Sequence, residues 1–144
     1  MATTATPATG IPATGTRGRF AWHELMTTDP KAAKAFYTAV IGWKTSSMQG
    51  SPMEYDFWQT GDSPDTMIGG LMAMPPGAAE MGAPPSWLAY IEVPDTDAMV
   101  DQVVKLGGKV VMPRTVLPDV ILGLFEDPEG HTLGLVEAAP AAAQ

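Results

Sequence analysis

Apolar positions along this chain switch twice from alternation to a helical stripe and back again. From Phe20 to Met26, large and mixed residues alternate at period two, which predicts a strand. Thr28-Asp29-Pro30 then offers a cap and a proline suited to a first helical turn. Ala32, Ala35, Phe36, Ala39 and Val40 form a stripe at helical spacing that Gly42 ends. Trp43 to Met48, Tyr55 to Thr60 and Met67 to Met74 read as short strands, divided by Gly50-Ser51-Pro52 and Gly61-Asp62-Ser63-Pro64.

The second half repeats the first. Trp87 to Val93 predicts a strand, and Asp95 to Leu106 a helix with Ala98, Val100, Val103 and Val104 on its apolar side and Gly107-Gly108 as its break. Val110 to Pro113, Val120 to Glu126 and Thr132 to Glu137 predict three further strands, the last two joined by a turn at Asp127-Pro128-Glu129-Gly130. A repeat of roughly fifty residues implies two similar modules, each needing the other to bury its apolar face. The expected fold class is α+β: two βαβββ modules in one chain, with mixed sheets curling round a shared cavity. Residues 1–18, rich in Ala, Thr, Pro and Gly, read as a loose arm. Module one covers 19–74, a proline-rich linker 75–85 and module two 86–137, making 19–137 a single domain, with 138–144 as a tail.

Composition narrows the function classes. The 144 residues are 45% hydrophobic, enough for one globular core without staples. The absence of cysteine removes disulfides, thiolate metal sites and cysteine nucleophiles. With a net charge of −8 and only eight scattered basic residues, the chain offers phosphate backbones or anionic membranes no cluster to bind, so neither nucleic acid nor membrane is an expected partner. No apolar run approaches the length of a membrane span, and no signal core is apparent, so a cytoplasmic location is expected. Serine-hydrolase elbows, phosphate-cradling loops and zinc-binding H-E-x-x-H helices are all missing from the sequence.

Asp29, Phe36-Tyr37 and Gly42-Trp43, then Val93-Pro94-Asp95-Thr96-Asp97 and Leu106-Gly107-Gly108, then Asp127-Pro128-Glu129-Gly130 and Leu135, occur in that order. This succession resembles the vicinal oxygen chelate superfamily, which includes glyoxalase I, bleomycin-resistance proteins, extradiol dioxygenases and fosfomycin-resistance enzymes. The resemblance spans Phe20 to Glu137. It implies the fold more strongly than the function, because one scaffold hosts unrelated chemistries.

Enzymes of this superfamily usually hold a divalent metal between paired modules, with ligands on the first and fourth strands of each module. In the family pattern the first-strand ligand stands seven residues before the acidic turn, which selects Trp22 and Leu88 here. The last-strand ligand falls at Gly134, and its module-one counterpart at Gly69 or Gly70. None of these side chains donates to a metal, so no metal and no cofactor is expected. Alternation turns His23 away from Trp22 towards the helix side, and His131 at the hairpin exit reads as satisfying the turn. A slip of one residue in strand register would make His23 and Glu137 candidates and readmit a divalent metal.

In the expected register Trp22, Glu24, Tyr90, Glu92, Thr132 and Val136 face the cavity. Trp58 and Met72 are further wall candidates, and Arg114 is a candidate for steering an anionic ligand. Trp22, Trp43, Trp58 and Trp87 equally suit ordinary core positions. Met48, Met53, Met67, Met72, Met74, Met81 and Met112 would give an adaptable apolar border. Glu24, between Trp22 and Met26, is expected to be desolvated and is the candidate general base; Glu92 mirrors it two positions after Tyr90.

Two functions follow. The first is a metal-independent protein that binds an apolar or aromatic small molecule, as bleomycin-resistance proteins do. The second is a lyase, isomerase or dioxygenase of the same superfamily, either metal-dependent in the slipped register or using Glu24 as base. A homodimer is expected, because the family pairs modules within or between chains.

Overall fold

The computed structural model describes residues 17–50, 54–78, 80, 82–116 and 120–138. Most of the expected arm and tail, the Ser51-Pro52 part of the first turn, and Met53 and Met81 lie outside the described residues. The element order is β1 (Phe20–Thr27), α1 (Pro30–Val40), β2 (Lys44–Ser47), β3 (Tyr55–Gln59), β4 (Met67–Ala73), β5 (Ser86–Glu92), α2 (Thr96–Lys105), β6 (Lys109–Val116), β7 (Val120–Glu126) and β8 (Thr132–Ala138). The fold is α+β and repeats β-α-β-β-β twice, as the periodicity predicts. A 3₁₀ turn at Pro64–Thr66 precedes β4, where the sequence reading had only a turn.

The chain forms two compact units. The first is Trp22–Leu88, and the second takes in the described residues of Met1–Ala21 and Ala89–Gln144, so the division cuts β1 near its start and β5 near its middle.

In the first unit the strand order is β2-β3-β4-β1, antiparallel except for the parallel β1/β4 pair. Asp29 caps α1 by accepting the Ala32 N–H at 3.0 Å, and Pro30 occupies the first turn, where its missing N–H costs nothing. The helix ends at Gly42, whose φ of 86° lets its N–H reach back to the Thr38 carbonyl at 3.1 Å. Ala33 and Tyr37 of α1 then pack on Leu25, Trp58 and Leu71. That contact defines a helix side of the sheet, and pleating puts Trp22, Glu24, Tyr55, Phe57, Gly70 and Met72 on the other side.

The second unit repeats these devices. Its strand order is β5-β8-β7-β6, with β5/β8 parallel. Asp95 caps α2 through the Ala98 N–H at 3.1 Å. The helix closes in a Schellman pair, with Gly107 N–H to the Val104 carbonyl and Gly108 N–H to the Val103 carbonyl. The Glu137 carboxylate accepts the Thr96 N–H at 2.8 Å, tying β8 to the start of α2.

Strand β6 departs from expectation. It runs through Pro113 to Val116 instead of stopping at Pro113. Being the edge strand, it loses no second partner to the proline's missing N–H, and its register shifts on both sides of Met112 take up the mismatch. The 75–85 linker contains neither helix nor strand among its described residues, only turns such as that closed by the Ala78 N–H on the Pro75 carbonyl.

Candidate functional site

On the helix-free side of the first unit, the buried Trp22 and Glu24 and the half-buried Tyr55 form a chain of polar groups. The Trp22 indole N–H donates to the Tyr55 oxygen at 3.1 Å, and the Tyr55 O–H donates to the Glu24 carboxylate at 2.7 Å. Trp22 is 1% exposed and Glu24 8% exposed, so both are withdrawn from bulk water, and Tyr55 satisfies part of what that withdrawal costs. Phe57 meets Trp22 edge to face at 6.2 Å and Tyr55 at 5.5 Å. Tyr55 was not among the residues singled out from sequence. Its signal was its two-residue step from Phe57 on β3, legible only once the facing strand is known.

The corresponding side of the second unit carries Tyr90 and Glu92, both buried, opposite Gly134 and Val136 in the β5/β8 register. Arg19 lies 3.7 Å from the Glu92 carboxylate. Thr132 starts β8 on this side but is exposed.

Other expected site residues are placed elsewhere. Trp58, grouped with Trp22 in the sequence reading, stands on the helix side, because it pairs with Gly69 one residue out of step with Phe57 and Gly70. Arg114 lies on the exposed edge strand with its Nε 3.9 Å from Asp97. His131 is exposed and bonds Asp127 at 2.9 Å, closing the hairpin turn. The His131 backbone N–H holds the Asp127 carboxyl below the usual carboxylate range; desolvation opposes the shift, while the imidazole contact and the Glu129 N–H add to it.

Glu24 pairs with Gly70 and Tyr90 with Gly134. His23 therefore turns to the helix side, and Glu137 serves the α2 terminus. Gly70, not Gly69, matches Gly134, since each sits under a tyrosine. A Cβ at Gly70 would fall inside the Tyr55 hydroxyl, and one at Gly134 inside the Tyr90 ring. The metal implied by the resemblance needs several nitrogen or oxygen donors converging on one point. Trp22, Leu88, Gly70 and Gly134 offer none, and tyrosine atoms already take the space beside both glycines. Among the described residues no group of three His, Asp or Glu side chains converges. The residues present do not fit a metal at these positions.

The helix side of the first unit carries an aromatic cluster. Tyr37 stacks on Trp43 at 5.9 Å and meets Trp58 and Trp87 edge to face at 5.5 and 5.4 Å. The Trp87 N–H donates to the Tyr37 oxygen at 3.2 Å. Beside the cluster opens a cavity of about 270 Å³ lined by His23, Trp43, Trp58, Ile68, Gly69 and Trp87.

A family profile described as Glyoxalase/Bleomycin resistance protein/Dioxygenase superfamily matches residues 19–135. The chain belongs to that superfamily. Within it, a Mycobacterium bovis protein provisionally named glyoxylase CFP32 is 39% identical over 120 residues, covering 81% of this chain and 44% of that protein. The anthracycline biosynthesis protein DauV of Streptomyces sp. strain C5 is 30% identical over 141 residues, covering 93% of this chain and 48% of that protein. The chain thus spans about half the length of the curated relatives it matches. Among solved structures, methylmalonyl-CoA epimerase from Mycobacterium tuberculosis superposes with a TM-score of 0.56 at 19% identity, covering 99% of this chain and 97% of that one. At that identity the likeness shows the superfamily's fold and nothing finer.

Proposed function

We propose that this superfamily member is a metal-independent protein that binds an apolar or aromatic small molecule on the helix-free side of its first unit. Trp22, Tyr55 and Phe57 supply the wall and Glu24 the polar anchor. One observation carries the reading: the last-strand donor positions are glycines, each with a tyrosine seated over it. An aromatic surface with a few fixed polar groups suits an organic ligand better than a metal shell. The name of the Streptomyces relative, which links that protein to anthracycline biosynthesis, supports a polycyclic aromatic as the ligand class.

Native mass spectrometry of protein purified without chelator tests the proposal. An organic adduct on metal-free protein is the expected result, and a stoichiometric divalent metal would overturn it. The same spectrum reads the subunit count. A homodimer belongs to the proposal, since β2 and β6 leave sheet edges open to pairing. So does a cytoplasmic location; no helix among the described residues is long and apolar enough to cross a membrane.

A second reading is favoured by the buried Glu24 carboxylate and its 2.7 Å bond from Tyr55. A carboxylate held on an apolar wall suits proton abstraction from a bound substrate, as in a metal-free lyase or isomerase. Glu24→Gln should then abolish turnover while the fold persists. A fully active Glu24→Gln enzyme would remove Glu24 from catalysis.

A further inference from the structure

Opposite the sheet face proposed for the ligand, the first unit holds an exposed tryptophan in a fixed position. Trp87 is 40% exposed, yet three rings grip it: Tyr37 and Trp43 edge to face at 5.4 and 5.9 Å, and Trp58 tilted at 6.3 Å. Its N–H donates to the Tyr37 oxygen at 3.2 Å, so the ring turns only by breaking that bond. Trp43 is half-buried and held in a similar way, stacked on Tyr37 at 5.9 Å and tilted against Trp58 at 5.4 Å. Trp58 itself is wholly buried, so it backs the two outer indoles and presents no surface of its own to a guest. Trp43 and Trp87, with Ile68 and His23, border the cavity of about 270 Å³. Apolar ring surface is unfavourable to leave in water, and rings already fixed in one conformation lose little freedom when a guest covers them.

We infer that this cavity is a second ligand site, taking a flat, neutral aromatic of one or two rings against Trp87 and Trp43. The outer indoles offer faces and edges to a planar guest, which adds to the gain from burying area alone. The volume falls just below the roughly 300–1,000 Å³ of drug-sized pockets, which selects a guest smaller than a drug. Charge of either sign is disfavoured. Among the described residues lining the cavity His23 alone titrates, and it can add only positive charge, so a cation finds no carboxylate there. An anion must approach a chain of net charge −8. The site stands apart from Trp22, Tyr55 and Glu24, which lie on the other side of the same strands.

Indole is a suitable probe, being neutral, flat and two-ringed. With the full chain labelled with nitrogen-15, each of the four tryptophans gives an indole N–H signal, and added unlabelled indole gives none. Indole should move the Trp87 and Trp43 signals saturably through its ring current and leave Trp22 in place, with half-saturation on the order of 1 mM. Trp87→Leu keeps apolar bulk at an exposed position and removes the ring. It should melt as the parent chain does and bind indole about tenfold more weakly, read at Trp43. The signal it loses assigns Trp87. If that variant melts early, Trp87→Phe, which keeps a smaller ring, should weaken indole less but in the same direction.

No saturable movement at Trp87 and Trp43, or a folded Trp87→Leu chain that binds indole as tightly as the parent, would overturn the assignment. Movement confined to Trp22 would also overturn it, while supporting the opposite face as the ligand site. Tetramethylammonium moving the Trp87 signal where indole does not would put a cation in the cavity and overturn the neutral class.

Discussion

The two units share a topology and differ in what they bury. Both start from a parallel first and last strand, cap their helix with an aspartate, end it at a glycine of positive φ, and seat a tyrosine over a last-strand glycine. The first unit fills its helix side with Tyr37, Trp43, Trp58 and Trp87, whereas the second buries the aliphatic Ile121 and Leu135 on its own. Branched aliphatic chains pack closely on a pleated surface. Large flat rings meet at angles and leave a cleft. In the first unit that cleft is the cavity beside Trp43, Trp58 and Trp87.

Core truncation should separate the units most strongly. Trp58→Ala removes a fully buried indole and should cost about 3–5 kcal/mol in urea unfolding, whereas Ile121→Val in the second unit should cost about 0.5–1.5 kcal/mol. Equal costs would erase the contrast. Gly70→Ala and Gly134→Ala probe what the units share. Each added methyl must displace a tyrosine, and each should lower stability by about 1–3 kcal/mol in thermal melts. A neutral Gly70→Ala would show that Tyr55 is free to move aside and that the Trp22–Tyr55–Glu24 chain is not held.

Tyr55→Phe sharpens the difference in polar chemistry. It removes one bond from Trp22 and one from Glu24 in a part-buried setting, for an expected loss of about 1–2 kcal/mol. Tyr37→Phe, whose hydroxyl serves the exposed Trp87, should change stability by less than about 0.5 kcal/mol. The smallest effect belongs to the β7–β8 turn. The Asp127 carboxyl is held below its ordinary value in the folded chain, so its contribution to stability is complete at neutral pH. That contribution fades only as acid takes pH below the ordinary carboxylate value and through the lowered one. Asp127→Asn should remove that acid-side loss, and His131→Ala should raise the Asp127 titration seen by NMR. An unchanged titration in His131→Ala would assign the shift to the backbone N–H bonds alone.

Element order was legible because its signals are local. Period two and helical spacing, Asp29 and Asp95 as caps, and Gly42 and Gly107 as stops each act within a few residues. The side on which a residue lies within its own strand was equally legible. Alternation turned His23 away from Trp22, and the structure places it beside Trp43 and Trp58. The extent of β6 was misread at Pro113, because whether a strand tolerates proline depends on whether it is an edge.

The site was legible only in part. Trp22 and Glu24 share a face as expected, but Tyr55, which joins them, lies 31 residues from Glu24 in the chain. The aromatic cluster gathers Tyr37 and Trp87 across fifty residues, and Trp58 belongs with them and not with Trp22. By itself the sequence determined the repeat, the α+β class, the caps and stops, and the lack of donor side chains at Trp22, Leu88, Gly134 and either Gly69 or Gly70. Tertiary structure alone decided which strands adjoin, where Tyr55 and Tyr90 close over glycine, and which tryptophans surround a cavity. Local preferences act through backbone dihedrals of neighbouring residues, whereas strand pairing and ring packing depend on partners tens of residues away.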